Sequence, residues 1–304
     1  MKDFLTIGQL TRTDLVALLD QAASLKEIQK RGGIHQPLAG KSVGLIFQKS
    51  STRTRVSFEV GIFQLGGQSI FLSPHDIQLG RGETVADTAR VLSRYLHAVV
   101  IRTYGQQIVE ELAHYAEIPI INGLTDQHHP CQALADLLTV REQKGHLEGL
   151  KLAYIGDGNN MAHSLIEAAA LSGMHISVAA PEGYRPDETI VANARSLAGA
   201  GKVDIVVDPF DAARDADVLY TDVWASMGQE AETEARKKIF KPYQINRALL
   251  KEAGADAIVM HCLPAHRGEE ITEEVLEGPR SVVWDQAENR LHTQKAVLEL
   301  LLGS

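Results

Sequence analysis

Residues 43–55 read Val-Gly-Leu-Ile-Phe-Gln-Lys-Ser-Ser-Thr-Arg-Thr-Arg, and a helical run begins at Val56. A short apolar run bounded by turn residues is typical of a strand that is buried on both faces. Similar runs alternate with helical stretches to the end of the chain. Strands that alternate with helices predict parallel sheets covered by helices on both faces, which is the α/β class.

The length of 304 residues suggests two domains of about 150 residues each. Ten candidate strands are too many for one sheet of ordinary size, so we split them four and six. The boundary is placed after the helix that begins at Pro130, which gives domains over 1–144 and 145–285. The last helix, within 286–304, is expected to pack back on the first domain. The predicted strands are Val43–Phe47, Ser69–Leu72, Ala98–Arg102, Ile118–Ile121, Lys151–Ile155, His175–Ala179, Val203–Val207, Asp217–Thr221, Ala257–His261 and Ser281–Trp284.

The fold prediction is therefore two doubly wound parallel-sheet domains. In such folds, ligands bind beyond the carboxyl ends of the strands. We accordingly expect the active site in the cleft between the two domains.

Composition excludes several classes of function. The chain carries 30 basic and 39 acidic residues, a formal charge of −9, which argues against a general nucleic-acid binder. Several arginines placed close together can still bind a small anion. Cys131 and Cys262 allow no disulfide framework and lack the spacing of a zinc site built on cysteine pairs. Neither a membrane segment nor a signal peptide is apparent, which predicts a cytoplasmic protein.

The segment Ser51–Arg55 is the first candidate site. Its hydroxyl and guanidinium groups stand where a helix begins, and the N–H groups of a helix N-terminus attract anions. The alternative is a helix cap with two exposed arginines. Because the segment follows an apolar strand, we favour a phosphate site, which Arg102 at another strand end could join.

Further polar groups follow other strands. His129 and Gln132 open a helix three residues apart and could donate to an oxygen that gains charge, although His129 could simply cap a loop. The Asp222 carboxylate could bind an amine, or it could cap a helix in a surface loop. Cys262 follows an apolar strand and could be a buried structural cysteine. The stretch from Gly156 to Met161 resembles a dinucleotide fingerprint but lacks the third glycine.

Taken together, the motifs resemble those of the aspartate/ornithine transcarbamylase family over nearly the whole chain. Ser51-Thr52-Arg53-Thr54-Arg55 and His129-Pro130-Cys131-Gln132 resemble the carbamoyl-phosphate motifs of that family. The stretches 222–228, Asp-Val-Trp-Ala-Ser-Met-Gly, and 261–264, His-Cys-Leu-Pro, resemble those of its ornithine-using members. Four motifs in the right order, each at a strand end, are far more specific than any one of them alone.

The resemblance implies transfer of the carbamoyl group from carbamoyl phosphate to the δ-amine of L-ornithine, giving L-citrulline and phosphate in arginine metabolism. It implies a carbamoyl-phosphate domain, an ornithine domain, no cofactor or metal, and a homotrimer in which Gln78 reaches a neighbouring subunit's site. The implied catalytic residues are Arg53, Thr54, Arg102, His129, Gln132 and Cys262. The implied carbamoyl-phosphate contacts are Ser51, Thr52, Arg53, Thr54, Gln78, Arg102, His129, Pro130, Cys131, Gln132, Cys262, Leu263 and Arg290, and the ornithine contacts are Asn160, Asp222, Ser226 and Met227.

Several alternatives stay open at this point. Aspartate would require extra basic groups in the second domain, whereas putrescine presents an amine as ornithine does. A dinucleotide-dependent dehydrogenase would depend on Gly156 and Gly158, and a non-catalytic subunit would bind phosphate without turnover. Cys262 could act as a base or only position the amine. Neither the physiological direction nor any assembly beyond a trimer follows from the sequence.

Overall fold

A computed structural model describes residues 1–73, 82–199, 201–225 and 232–303. The chain divides into two compact units. The first unit comprises Met1–Leu138 and Glu288–Ser304, and the second comprises Thr139–Ala287. Each unit is built on one parallel sheet with interleaved helices, which confirms the predicted fold class of two parallel-sheet α/β domains.

The first unit contains a four-stranded parallel sheet in the order β2-β1-β3-β4. Its strands are β1 (Ser42–Phe47), β2 (Gln68–Leu72), β3 (Ala98–Arg102) and β4 (Ile120–Leu124). Its helices are α1 (Arg12–Lys30), α2 (Thr52–Gln64), α3 (Val85–Leu92) and α4 (Gln106–Tyr115), together with parts of α5 (Pro130–Lys144) and α12 (Val283–Leu302).

The strand order of the first unit reverses between β1 and β3. The chain moves from β1 to β2 on one side and then returns to β3 on the other. A crevice opens beyond the carboxyl ends at such a reversal. Phe47 of β1 pairs there with Arg102 of β3, and the Gln48 N–H donates to the Arg102 carbonyl over 2.8 Å. The first unit therefore presents a binding position next to the segment that begins at Gln48.

Strand β4 differs from its predicted bounds of Ile118–Ile121. The strand continues through Asn122 and Gly123, two residue types that are common in turns. The Asn122 amide donates to the Leu5 carbonyl over 2.9 Å, and a Cβ at Gly123 would lie 3.2 Å from the Ile101 carbonyl oxygen. Contacts with neighbouring segments, not local propensity, set this strand end.

The second unit contains a five-stranded parallel sheet in the order β7-β6-β5-β8-β9. Its strands are β5 (Lys151–Ile155), β6 (His175–Ala179), β7 (Val203–Val206), β8 (Val218–Thr221) and β9 (Ile258–His261). Its helices are α6 (Asn160–Ser172), α7 (Glu188–Leu197), α8 (Pro209–Ala213), α9 (Thr233–Phe240), α10 (Arg247–Glu252) and α11 (Glu273–Leu276). The order reverses between β5 and β8, which opens a second crevice beyond their carboxyl ends.

The prediction of a sixth strand at Ser281–Trp284 is wrong. Ser281 makes a single bridge to Val259, and α12 begins two residues later at Val283. Trp284 is 61% exposed, so the apolar run does not enter the sheet. Among the described residues, no helix combines the length and the apolar character needed to cross a membrane.

Candidate active site

Helix α2 begins at the carboxyl end of β1 with a hydroxyl cap. Ser51 has extended backbone, and its side chain accepts from the Thr54 N–H over 3.2 Å. Its hydroxyl also donates to Thr54 Oγ1 over 3.1 Å. Thr54 is buried, Arg53 is half-buried and Thr52 is exposed. The first turn thus presents hydroxyl and guanidinium groups around a helix N-terminus, which suits an anion.

Arg290 links this helix start to the start of α5. One guanidinium nitrogen donates to Thr54 Oγ1 over 2.7 Å, and the other donates to Gln132 Oε1. The Arg290 side chain is only 2% exposed. We call Ser51, Thr54, Gln132 and Arg290 the arginine cluster. Side chains from α2, α5 and α12 are thereby held in one hydrogen-bonded group within the first unit.

His129 lies in the electric field of three arginines. Burial lowers its pKa well below the ordinary value of 6.5, and the guanidinium groups of Arg290, Arg102 and Arg53 lower it further. The ring is consequently neutral at physiological pH and carries one N–H donor. In this state His129 can donate to an oxygen that gains negative charge, but it is a poor general acid.

Other residues near these motifs have structural contacts instead. Arg55 pairs with Glu59 over 2.9 Å and stacks 3.6 Å from the Phe71 ring centroid, so it points away from the arginine cluster. Pro130 is the first residue of α5 and is buried. The Cys131 thiol donates to the Asn122 carbonyl over 3.4 Å, and burial raises its pKa to about 12. A thiol with that pKa is no nucleophile at neutral pH.

Two features of the first unit have no counterpart in the sequence reasoning. Lys49, 6% exposed, pairs with Asp126 and lies 4.5 Å from the Tyr104 ring centroid. This pair joins the turn after β1 to the turn after β4. The second feature is Asp136, which accepts from the Gln132 amide over 2.8 Å. The four-residue spacing on one helix is a signal that could have revealed this second contact.

In the second unit, Asp222 stands at the carboxyl end of β8 and is 8% exposed. Its Oδ1 accepts from the Val223 N–H over 2.8 Å and from the Cys262 thiol over 2.9 Å. Its Oδ2 accepts from the Asn159 amide over 2.9 Å. The carboxylate is thus held from three directions, and Cys262 acts as a hydrogen-bond donor in this arrangement.

Asn159 is a further residue that the sequence reasoning missed. Its side-chain oxygen caps α6 by accepting from the Met161 and Ala162 N–H groups, over 2.9 and 3.3 Å. An asparagine directly before an apolar helical run is a typical N-cap signal. Asn160, the predicted ornithine contact, is the next residue and the first of α6. Ser226 and Met227, like Gln78 of the first unit, lie outside the described residues.

A buried ion pair connects the turn after β5 to α9. Arg236, 4% exposed, donates to Asp157 and lies 4.8 Å from the Tyr184 ring centroid. Burial raises the pKa of Asp157 to about 6 although the Arg236 guanidinium opposes this shift. The pair therefore anchors the turn after β5.

The His261 side chain holds the backbone of the segment after β9. Leu263 has a φ of +55°, a left-handed conformation that is unfavourable for leucine. Its N–H donates to His261 Nδ1 over 2.8 Å, and His261 Nε2 lies 3.1 Å from Glu270 Oε1. Because Nδ1 accepts, Nε2 carries the proton and donates to Glu270. His261, Cys262 and Asp222 offer ligand atoms within 4.8 Å of one another, but their hydrogen bonds already account for this arrangement.

The glycine-rich turn after β5 does not present its backbone to a dinucleotide. The Gly158 N–H donates to the Tyr184 carbonyl over 2.8 Å, and the Gly156 N–H donates to the Ala179 carbonyl over 3.0 Å. A Cβ at Gly158 would lie 2.2 Å from the Pro186 nitrogen. The glycine is thus required by close packing of two chain segments, and a pyrophosphate group would find these N–H donors occupied.

Comparisons with known proteins cover both units. The family profile of the aspartate/ornithine carbamoyltransferase carbamoyl-P binding domain matches residues 2–142, and that of the Asp/Orn binding domain matches residues 148–301. An ornithine carbamoyltransferase of Anoxybacillus flavithermus is 59% identical over 303 residues, covering 99% of this chain and 96% of that protein.

Solved structures agree with these matches. The ornithine carbamoyltransferase of Pyrococcus furiosus superposes with a TM-score of 0.97 at 54% identity, covering 100% of this chain and 97% of that one. The anabolic ornithine carbamoyltransferase of Campylobacter jejuni gives a TM-score of 0.92 at 39% identity, covering 99% of each chain. With its motifs, its two parallel sheets and full-length relatives in agreement, the chain belongs to the aspartate/ornithine carbamoyltransferase family.

Proposed function

We propose that this protein transfers the carbamoyl group of carbamoyl phosphate to the δ-amine of L-ornithine, giving L-citrulline and phosphate. The arginine cluster is the observation that carries the proposal. It combines a helix N-terminus and a buried guanidinium, which suit a phosphate, with a glutamine amide that suits a carbamoyl group. The full-length relatives named ornithine carbamoyltransferase support the same activity.

Carbamoyl phosphate is assigned to the first unit. Its phosphate would lie at the start of α2, where hydroxyl groups and guanidinium groups meet. The Gln132 oxygen and the Leu263 backbone would hold the carbamoyl NH2. The proposed contacts are Ser51, Thr52, Arg53, Thr54, Gln78, Arg102, His129, Pro130, Cys131, Gln132, Cys262, Leu263 and Arg290.

The carbonyl oxygen would face Thr54, Arg102 and His129. When the amine attacks the carbonyl carbon, this oxygen becomes an alkoxide in the tetrahedral intermediate. The alkoxide re-forms the carbonyl as the bond to the phosphate oxygen breaks and phosphate leaves. A neutral His129 supplies a fixed donor for the alkoxide, and removal of one such donor typically costs about 10²–10³ in rate.

Ornithine is assigned to the second unit. Its carboxylate would lie near Asn160 and its α-ammonium near Asp222 and Ser226, with Met227 as a further contact. The held carboxylate of Asp222 supports an amine-bearing acceptor, because a second carboxylate, as in aspartate, would be repelled there. We therefore favour ornithine over aspartate.

The attacking amine must first lose a proton. An amine with a pKa near that of lysine, about 10.4, costs about 4 kcal/mol to deprotonate at pH 7.4. Nearby guanidinium groups and exclusion of water would lower that cost. The Cys262 thiol donates to Asp222, so it is protonated in this arrangement, which favours a positioning role over a base.

A pH–rate profile of Cys262→Ser distinguishes the two roles of Cys262. If the residue only positions the amine, the alkaline-side pKa stays the same and the KM for ornithine rises. Loss of that pKa together with a large fall in kcat would make Cys262 the base.

The direct test is a colorimetric assay of carbamoyl phosphate with ornithine, putrescine, aspartate and N-acetylornithine. We expect citrulline from ornithine and little product from the others. Absence of product from ornithine would refute the proposal. Product from putrescine in preference to ornithine would reassign the acceptor.

The remaining assignments stay predictions. A homotrimer, with Gln78 reaching the neighbouring subunit's site, is testable by sedimentation equilibrium together with the Gln78→Ala variant. A cytoplasmic location and a role in arginine metabolism are further predictions.

A further inference from the structure

The side-chain amide of Gln132 is held on both sides within the first unit. Its Oε1 accepts from Arg290, and its Nε2 donates to Asp136 Oδ1 over 2.8 Å. Gln132 and Arg290 are 1% and 2% exposed, and Asp136 is 0% exposed. Asp136 is thus a fully buried acceptor in direct contact with a proposed substrate contact.

These two partners select one orientation of the amide. A guanidinium group offers only donors, so the Gln132 atom that faces Arg290 must be the oxygen. An ionised carboxylate offers only acceptors, so the atom that faces Asp136 must be the nitrogen. A flipped amide would place donor against donor and acceptor against acceptor, with both groups buried. The oxygen keeps a second lone pair for another donor.

Arg290 alone cannot guarantee this orientation during binding. In the proposed function its guanidinium also contacts the substrate anion, so the incoming phosphate competes for its N–H groups. The contact of Asp136 with Gln132 lies within α5, so it does not depend on Arg290. This contact can persist when Arg290 turns to the phosphate.

We propose that Asp136 is a positioning residue that keeps the Gln132 oxygen available to the carbamoyl NH2 when Arg290 engages the phosphate. The proposal rests on the proposed function, in which Gln132 accepts from that NH2. Without Asp136 the amide can rotate and set its own N–H against the substrate N–H. The residue thus favours a ligand that carries an NH2 group beside its phosphate.

Comparing the binding of two ligands distinguishes this positioning role from a general contribution of Asp136 to the stability of the fold. Acetyl phosphate has a methyl group where carbamoyl phosphate has NH2, so its binding does not require the Gln132 oxygen. Calorimetric titration of each ligand without any acceptor measures binding independently of turnover. For Asp136→Leu we expect about tenfold weaker binding of carbamoyl phosphate, the equivalent of one hydrogen bond, and less than about twofold change for acetyl phosphate.

Asp136→Asn is the conservative variant. Its side-chain oxygen can still accept from Gln132 Nε2, so we expect binding of carbamoyl phosphate near that of the wild type. Leu137→Ala, at the next and equally buried position of α5, is the matched control. It should lower the unfolding temperature and leave both affinities unchanged. Equal losses for the two ligands in Asp136→Leu, or no loss for either, would overturn the proposal.

A second comparison applies if Asp136→Leu does not fold. Gln132→Glu sets two carboxylates against each other, and the double variant Gln132→Glu/Asp136→Asn restores an N–H···O contact of reversed polarity. We expect the double variant to bind carbamoyl phosphate more tightly than Gln132→Glu alone, and equal affinities would contradict the positioning role. If the wild type binds carbamoyl phosphate but forms no citrulline, the proposed function fails while the role of Asp136 in binding is still measured.

Discussion

Replacing His129 tests the electrostatics of the first unit most directly. Burial and the guanidinium groups of Arg290, Arg102 and Arg53 hold its pKa well below 6.5, so the ring is neutral. His129→Asn removes the titratable ring and keeps a hydrogen-bond donor, whereas His129→Phe keeps the ring size and removes the donor. The two variants therefore separate donation from protonation.

The expected magnitudes follow from that environment. Loss of the donor in His129→Phe should lower kcat by about 10²–10³, and His129→Asn should lose less. In the folded protein the ring stays neutral below pH 6.5, whereas in the unfolded chain it takes up a proton. The free energy of unfolding is therefore unaffected by this ring above pH 6.5. Below pH 6.5 it falls by about 1.36 kcal/mol per pH unit, because only the unfolded chain takes up the proton. The wild type should therefore be less stable at pH 5.5 than at pH 7.5, and His129→Asn should remove this difference.

Steady-state rates between pH 5.5 and 9 and urea unfolding at pH 5.5 and 7.5 are the required measurements. The acid limb of kcat/KM should have the same pKa in the wild type and His129→Asn. His128→Asn is the neighbouring control, since its backbone N–H and carbonyl make the turn contacts to Thr125, and its rate should fall much less. Disappearance of the acid limb in His129→Asn, or an unchanged pH dependence of its stability, would refute the reasoning.

Three further changes have distinct expected results. Arg290→Lys replaces a guanidinium that donates to two partners by an ammonium that acts as a point charge. The affinity for carbamoyl phosphate, measured by calorimetry, should weaken at least about tenfold, and an unchanged affinity would contradict the role of the arginine cluster. Asn159→Ala removes the N-cap of α6 and a hydrogen-bond partner of Asp222. We expect the free energy of unfolding in urea to fall by about 1 kcal/mol and the KM to rise for ornithine only. An equal rise of the KM for carbamoyl phosphate would count against placing ornithine at Asp222. The Lys295 ammonium donates to Gln29 and Gln64 over 2.8 and 3.0 Å, and burial lowers its pKa to about 8, so the unfolding temperature of Lys295→Met relative to the wild type should fall as the pH rises from 8 to 10.5; a difference that stays constant over this range would disprove the effect of burial.

Local apolar patterning was sufficient for most of the sheet architecture. Strands β3, β5 and β6 have their predicted bounds, and each is a short run of mainly apolar residues. The same rule was wrong at Ser281–Trp284, which is also apolar but makes only one bridge before a helix begins. Hydrophobicity predicts that a segment is buried somewhere, whereas strand pairing depends on which neighbour it reaches.

The contacts at the candidate sites differ in the same way, because some join neighbouring residues and others join distant ones. Groups that a helix start or a strand end brings together, such as Ser51 and Thr54, can be inferred from adjacent residues. The contact of Arg290 with Thr54 spans 236 positions, and that of Lys49 with Asp126 spans 77, so no local pattern contains them. Such contacts become predictable only through resemblance to a family or from the fold itself.

The first unit is assembled from two separate stretches of chain, with the whole second unit between them. During synthesis, every residue of the second unit therefore leaves the ribosome before Glu288 does. The nascent chain can complete its five-stranded sheet while the four-stranded sheet still lacks Arg290 and the Lys26–Asn289 contact of 2.7 Å. The arginine cluster therefore cannot form until synthesis has passed Arg290, and a chain released before that residue would lack it.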